Sequence, residues 1–277
     1  MSSPNNDNNI TISHSQEEEN NKKKKKNKMK ENKKIMKDKL HKDELSEALI
    51  KSIKTNKWFY FTLFVCFSMF KIQDFMVTSN SSSFAGLVFS FIFIMLFGHI
   101  VHRLSHNIDF TQVYHNHKKG NMNTHVDFIL TKVCAFLDFH RITHHDSDVN
   151  KKPINIFYEF MNNFLTQGGI LILFVWFCNH CIDMRIVLLW ALMYATAHNI
   201  NYVIIKPSIH RDHHLHENTN YGLDVADILF DTKYDLNDIE DHNHISINLI
   251  IITLIILFFN AASWLFMAIK RHFSVLF

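Results

Sequence analysis

Glycine and proline are scarce in this chain, at 6 and 3 of 277 residues. A β-sandwich or small barrel needs a tight turn about every 8–12 residues, so the scarcity argues for helices instead. Cysteine is also sparse: Cys66, Cys134, Cys178 and Cys181. Three of them lie in apolar stretches and none recurs at metal-site spacing, which excludes a disulfide framework or a zinc ribbon. Cys178-Asn-His-Cys181 has no matching second pair and reads as small residues near a membrane turn. No Glu-x-x-His pair occurs, so the carboxylate-bridged di-iron bundle is not the template. The basic N-terminal region is not followed by an apolar core of signal-peptide type.

Against these absences stand 47% hydrophobic residues, 26 phenylalanines and 20 histidines. The net charge of +3 hides two unlike parts. Residues 1–57 hold 15 of the 29 basic and 9 of the 26 acidic groups, and the remainder is acidic and strongly apolar. Residues 1–34, with the run Lys22–Lys26, bury too little surface to offset their ordering entropy and are expected to be disordered. From Ile35 a helical pattern begins, with Ile35, Met36, Leu40, Leu45, Leu49 and Ile53 near one face. It fits a helix lying in a membrane interface, or a coiled partner helix. Lys42-Asp43-Glu44-Leu45 matches a lumenal retention signal in letters only, because that signal works at a C-terminus.

Four apolar segments reach the roughly 17–25 residues that a bilayer requires: Trp58–Val77, Phe84–Val101, about Phe164–Ile182 and about Arg185–Ile205. Short joints pair them into two helical hairpins. A fifth run, Ile245–Ile269, spans, re-enters or lies shallow; the pattern leaves all three open. The polar stretches 102–163 and 206–244 then share a side with the N-terminus. Their Lys118, Lys119, Lys151, Lys152, Lys206 and Arg211 make that side cytosolic by the positive-inside rule. The sequon Asn80-Ser81-Ser82 falls on the other side, close to the membrane. The expected organisation is an arm with an interfacial helix at 1–57, a membrane domain at 58–244, and a hydrophobic segment and tail at 245–277.

Fourteen of the histidines crowd into residues 99–145 and 198–216. His102 and His106 are one helical turn apart, roughly 40° around the axis, so both project from one face. His99 precedes them near that face. His140, His144 and His145 form a second cluster, His210, His213 and His214 a third, and His198 precedes the third. Leaving His99 aside, the three clusters and His198 supply nine imidazoles, which suit Fe, Zn, Cu or Ni. They are too many for one ion and match two. His115, His117 and His125 are intermediate candidates. His180, His242, His244 and His272 read as interfacial or hydrogen-bonded, and His14 and His41 as solvated.

From about Trp58 to Asp235 the pattern resembles the fatty acid hydroxylase/sterol desaturase superfamily of integral membrane oxygenases. The resemblance rests on His102-Arg-x-x-His106, His140-x-x-x-His144-His145, and His210-x-x-His213-His214. It extends through Asn220-Tyr221-Gly222 and Asp227-Ile-Leu-Phe-Asp-Thr232. Two features depart from the family pattern. Three residues, not two, separate His140 from His144-His145, and His140 follows His106 by 34 positions. Either residues 107–139 contain an insertion, or His117 and His125 replace part of the second box.

The resemblance implies an all-α integral membrane protein: two transmembrane hairpins beneath a cytosolic helical cap that carries a histidine-ligated di-metal centre. It implies two iron ions (zinc being an alternative in purified protein), O2 as co-substrate, and hydroxylation of a fatty acyl, sphingolipid or sterol C–H bond. A histidine-box desaturase is the alternative, and a non-redox zinc-handling protein a more distant one. Asp212, Glu217, Asp224, Asp227 and Asn220 would orient the ligands. The arm is too short and polar to be a fused electron-transfer domain, so a separate cytochrome b5 or reductase is implied. The endoplasmic reticulum is the expected membrane. Lysine without arginine or aromatics argues against nucleic acid.

Overall fold

The structure is a computed structural model that describes residues 41–77, 83–118, 123–144, 152–174, 181–216 and 218–276. The arm to residue 40, the sequon, Lys119, His145, Lys151, Cys178 to His180 and Glu217 lie outside the described residues, as does the side chain of His144. The chain divides into two compact units, Met1–Glu47 and Ala48–Phe277. In the first, residues 41–47 are helical.

The second unit is helical, with no strand among its described residues. Residues 48–55 form α1. Its buried positions are Ala48 and Ser52, with Asn56 just beyond, whereas Ile50 and Ile53 face outward. The small face, not the apolar one, meets the bundle, and the apolar face stays exposed. Next come α2 (Lys57–Val77) and α3 (Phe84–Asn107). Ser83 caps α3 by accepting from the Gly86 amide at 3.0 Å. Then follow α4 (Phe110–His117), α5 (Thr124–Leu137), a π-helical turn at His140–His144, and α6 (Pro153–Thr166). Helix α7 (Met184–Thr196) is capped by Asp183 and continues through a π turn, Ala197–Asn201, into Tyr202–Ile205. Two short helices, α8 (Ser208–Leu215) and α9 (Asp224–Leu229), precede α10 (Ser246–Leu276).

Among the described residues four helices are long and apolar enough to cross a membrane: Lys57–Val77, Phe84–Asn107, Met184–Ile205 and His242–His272. Their inner faces make one core of Phe59, Leu63 and Phe70 from α2, Leu87 and Ile94 from α3, Val187 and Trp190 from α7, and Leu249 and Ile252 from α10. No more than 44% of any of these apolar windows is buried. The outward remainder, including Phe61, Phe64, Phe89, Ile251 and Phe258, is apolar surface that favours lipid over water.

Polar ties fix the helix directions. Asn56 donates to the Glu240 carbonyl at 3.0 Å, and Gln73 to the Leu257 carbonyl at 2.8 Å, so α2 and α10 run parallel. Asn243 Oδ1 accepts from the Trp58 and Phe59 amides, at 3.1 and 3.0 Å, and caps the first long helix from the far end of the sequence. At the opposite end of the bundle Arg185 pairs with Asp74 of α2 and with Asp183, and Ser90 Oγ accepts from the Asp183 amide at 2.8 Å.

The expected third span, Phe164–Ile182, departs from expectation. Helix α6 stops at Thr166, and a 3-10 segment, Gly169–Phe174, follows. Gly168 turns the chain with a φ of +118°, a conformation that L side chains rarely adopt, and its backbone lies so close to Ile94 that a Cβ would collide with that side chain. A bare Gly98 likewise admits the Gln167 side chain, whose amide donates to the Gly98 carbonyl at 3.4 Å. The apolar run is therefore broken among its described residues, and a second hairpin of two continuous helices is not formed there. The C-terminal run, left open by its sequence, is one uninterrupted helix of 31 residues.

Candidate metal centre

His102 and His106 sit in the last turns of α3, beyond Val101, where the apolar run ends. His140 opens the first π turn and His213 belongs to α8. Each of these four offers a ring nitrogen, and the four atoms lie within 4.8 Å of one another. His102 Nε2 is 2.9 Å from His140 Nε2 and 3.2 Å from His106 Nε2. Two nitrogens bound tetrahedrally to one ion at about 2.0–2.1 Å stand roughly 3.3 Å apart, so the spacing suits ligands of a single cation. Imidazole lone pairs turned on one another at this distance repel unless a cation or a proton lies between them.

A short loop between α8 and α9 decides which nitrogens face inward. His102 Nδ1 donates to the Tyr221 carbonyl at 2.5 Å, and His213 Nδ1 to the Thr219 carbonyl at 2.6 Å. A carbonyl only accepts, so both rings carry their proton on Nδ1 and keep Nε2 for a metal. Tyr194 Oη also approaches His102 Nδ1, at 3.2 Å. The loop is pinned in turn. Asp227, buried, accepts from the Tyr221 and Gly222 amides at 2.8 and 3.1 Å and from Thr232 Oγ1 at 2.8 Å. Asn220 adopts a φ of +55°, and its amide donates to the Thr232 carbonyl. Burial pushes the Asp227 carboxyl up to about 6, against these hydrogen bonds, which favour its charged form. Burial likewise drives His213 down to about 4, so its ring is neutral and ready to ligate.

Three more of the expected histidines adjoin this group. His214 Nε2 lies 3.1 Å from His210 Nε2, and the His198 ring stands 4.6 Å from that of His210. His198 is carried on the second π turn and His140 on the first; such turns shift the helical register and recur at functional sites. His198 Nδ1 is 3.0 Å from Glu159 Oε1. Among the described residues only the first four converge within 4.8 Å. His144, whose backbone lies in the first π turn, and His145 complete the nine expected positions.

The remaining histidines stand apart. His115, His117 and His125 are exposed, and His117 Nδ1 bonds to the Val113 carbonyl of its own helix. His140, not His117 or His125, therefore joins the four-histidine group. His99 is buried but stacks on Phe230, 3.7 Å from Asp227. His242 is buried near Glu240, and His244 lies beside Asn201. Of the acidic candidates, Asp227 reaches the loop, whereas Asp224 pairs with Lys233 and Asp212 lies beside Arg211. Spacing alone does not reveal Glu159 or the two carbonyls: Glu159 lies 39 positions from its partner, and carbonyls carry no sequence signal.

The four-histidine group can hold a metal ion, and its neutral nitrogen donors suit Zn, Fe, Cu or Ni. Compared with protein-family models, curated proteins and solved structures, the chain finds no match.

Replacing Asp227 with Ala is expected to weaken metal binding about 10–100-fold, the usual cost of losing an outer partner of a ligand. Metal titration of the detergent-solubilised protein checks this, with His125→Ala as a neutral control.

Proposed function

We propose that this protein is an integral membrane oxidoreductase that uses O2 and two histidine-held iron ions to hydroxylate a lipid C–H bond. The observation that carries the reading is the convergence of His102, His106, His140 and His213, with His198, His210 and His214 alongside, at one end of an apolar helical bundle. It agrees with the resemblance to the fatty acid hydroxylase/sterol desaturase superfamily.

Bound iron would supply oxygen activation, and the net reaction takes R–H, O2, two electrons and two protons to R–OH and water. The chain's own residues do the rest. The Tyr221 and Thr219 carbonyls fix the ring tautomers, Asp227 fixes the loop that offers them, and the core below excludes water. An acyl chain or sterol would reach the centre from the lipid that covers the outward phenylalanines and isoleucines. In this reading the C-terminal helix spans, because it runs parallel to α2 from the histidine end. The membrane is that of the endoplasmic reticulum, with the histidine end on its cytosolic side, and electrons arrive from a separate cytochrome b5 or reductase. Transport of zinc is disfavoured, since transporters hold their ions near the bilayer midplane.

The test is comparative lipid analysis of a host with and without the protein, together with its metal content. Lipids that gain one oxygen, formed by a protein carrying about two irons per chain, support hydroxylation. Lipids that lose two hydrogens instead identify the desaturase. An unchanged lipid profile from metal-loaded protein supplied with a reductase rejects both.

A further inference from the structure

The two sets of histidines are held by different chemistry. In the four-histidine group, His102 and His213 lean on neutral backbone carbonyls. His198 leans on a carboxylate, Glu159, which is only 5% exposed. Glu159 stands mid-way along α6, and that helix is anchored through Asn162, whose amide donates to the Phe136 carbonyl at 2.7 Å just before the turn that bears His140. The carboxylate is thus placed by the fold and not by a flexible surface.

An imidazole that gives its Nδ1 proton to a carboxylate presents Nε2 to a metal, and the carboxylate makes that nitrogen more basic. It also adds a negative charge beside a buried cation, where attraction is weakly screened. The backbone carbonyls bring no such charge to the first set. The two halves of the centre therefore differ in both charge and basicity.

We propose that Glu159 is the positioning residue for a second cation: through His198 it makes the His198–His210–His214 half a metal site separable from the four-histidine group. The inference rests on the metal-centre reading above and adds to it the residue on which the second ion depends. Glu159→Gln keeps an oxygen that accepts from His198 Nδ1 and removes only the charge, so the fold is preserved. Glu159→Ala removes both.

The full-length protein, stripped of metal in detergent, is titrated with cobalt(II) and followed by calorimetry and visible absorption. The unaltered chain is expected to take up two equivalents. Glu159→Gln should bind one as before and the other about 10–100-fold more weakly, and Glu159→Ala should lose that second equivalent. His213→Ala should do the reverse, sparing the Glu159-dependent step. Two equivalents bound unchanged by Glu159→Gln overturn the proposal, as does equal weakening of both steps in a protein of unaltered helicity. If even the unaltered chain binds no cobalt, the metal-centre reading falls, and the proposal with it.

Discussion

A His213→Ala protein is expected to lose the ion of the four-histidine group. Losing a mere outer partner of a ligand costs about 10–100-fold in affinity, and removing the ligand itself should cost more than about 100-fold. His213 is also the ring that the Thr219 carbonyl orients, so its loss removes a donor already aimed at the site. Under the proposed function, lipid oxidation should disappear with the metal. Metal analysis and lipid analysis of the same preparation check both, and retention of full metal content would contradict the ligand assignment. The same residue sets a pH dependence in the metal-free chain. Its ring titrates near 4 when folded because of burial, against an ordinary value of 6.5. Between those limits the unfolded chain binds the proton and the folded chain does not. This contribution to stability is therefore complete above about 6.5 and is lost as the pH falls toward about 4. Denaturation of chelator-treated protein across that window measures it.

The largest expected effect on stability lies at the other end of the bundle. Arg185 Nη1 meets Asp74 Oδ1 at 2.5 Å, while its Nη2 meets Asp183 Oδ2 at 2.6 Å and its Nε meets Asp183 Oδ1 at 3.0 Å. The guanidinium also lies 5.1 Å from the centre of the Phe70 ring. All three charged side chains are largely buried, at 17%, 10% and 7% exposed for Arg185, Asp74 and Asp183. Arg185→Leu would leave two buried carboxylates facing each other. Breaking such a buried pair typically costs about 3–5 kcal/mol. Adding Asp74→Leu and Asp183→Asn should recover more than half of that loss. The charge is then removed with its partner, and an asparagine side chain still caps α7. Thermal unfolding of the three proteins in one detergent is the comparison. Equal stability of Arg185→Leu and the unaltered chain would mean that the cluster does not tie α7 to α2.

How far the sequence announced this structure varies with the kind of signal. The first two spans were legible because hydropathy changes sharply at their ends: Lys57–Val77 and Phe84–Asn107 start within a residue of expectation. The second runs six residues past Val101, since a helix continues through polar residues when their far ends are satisfied in a site. The four converging histidines were legible because their spacing is helical. The break at Gly168 was hidden, because a hydropathy window averages over a glycine whose φ is set by tertiary contact with Ile94. Glu159 was hidden for a different reason. A contact across 39 positions leaves no periodicity, so only folded geometry reveals it.

The cap that Asn243 places on the start of α2 bears on the order of assembly. A ribosome makes residues 58 and 59 long before residue 243, so the first long helix must enter its surroundings with those two amides unmet by their final partner. The 3-10 segment leading into α10 then supplies the missing acceptor through Asn243 and also ties residues 55 and 56 to itself. Closure of the bundle at the histidine end thus waits on the synthesis of Asn243. The frame around the histidines is complete only once the segment leading into α10 has docked.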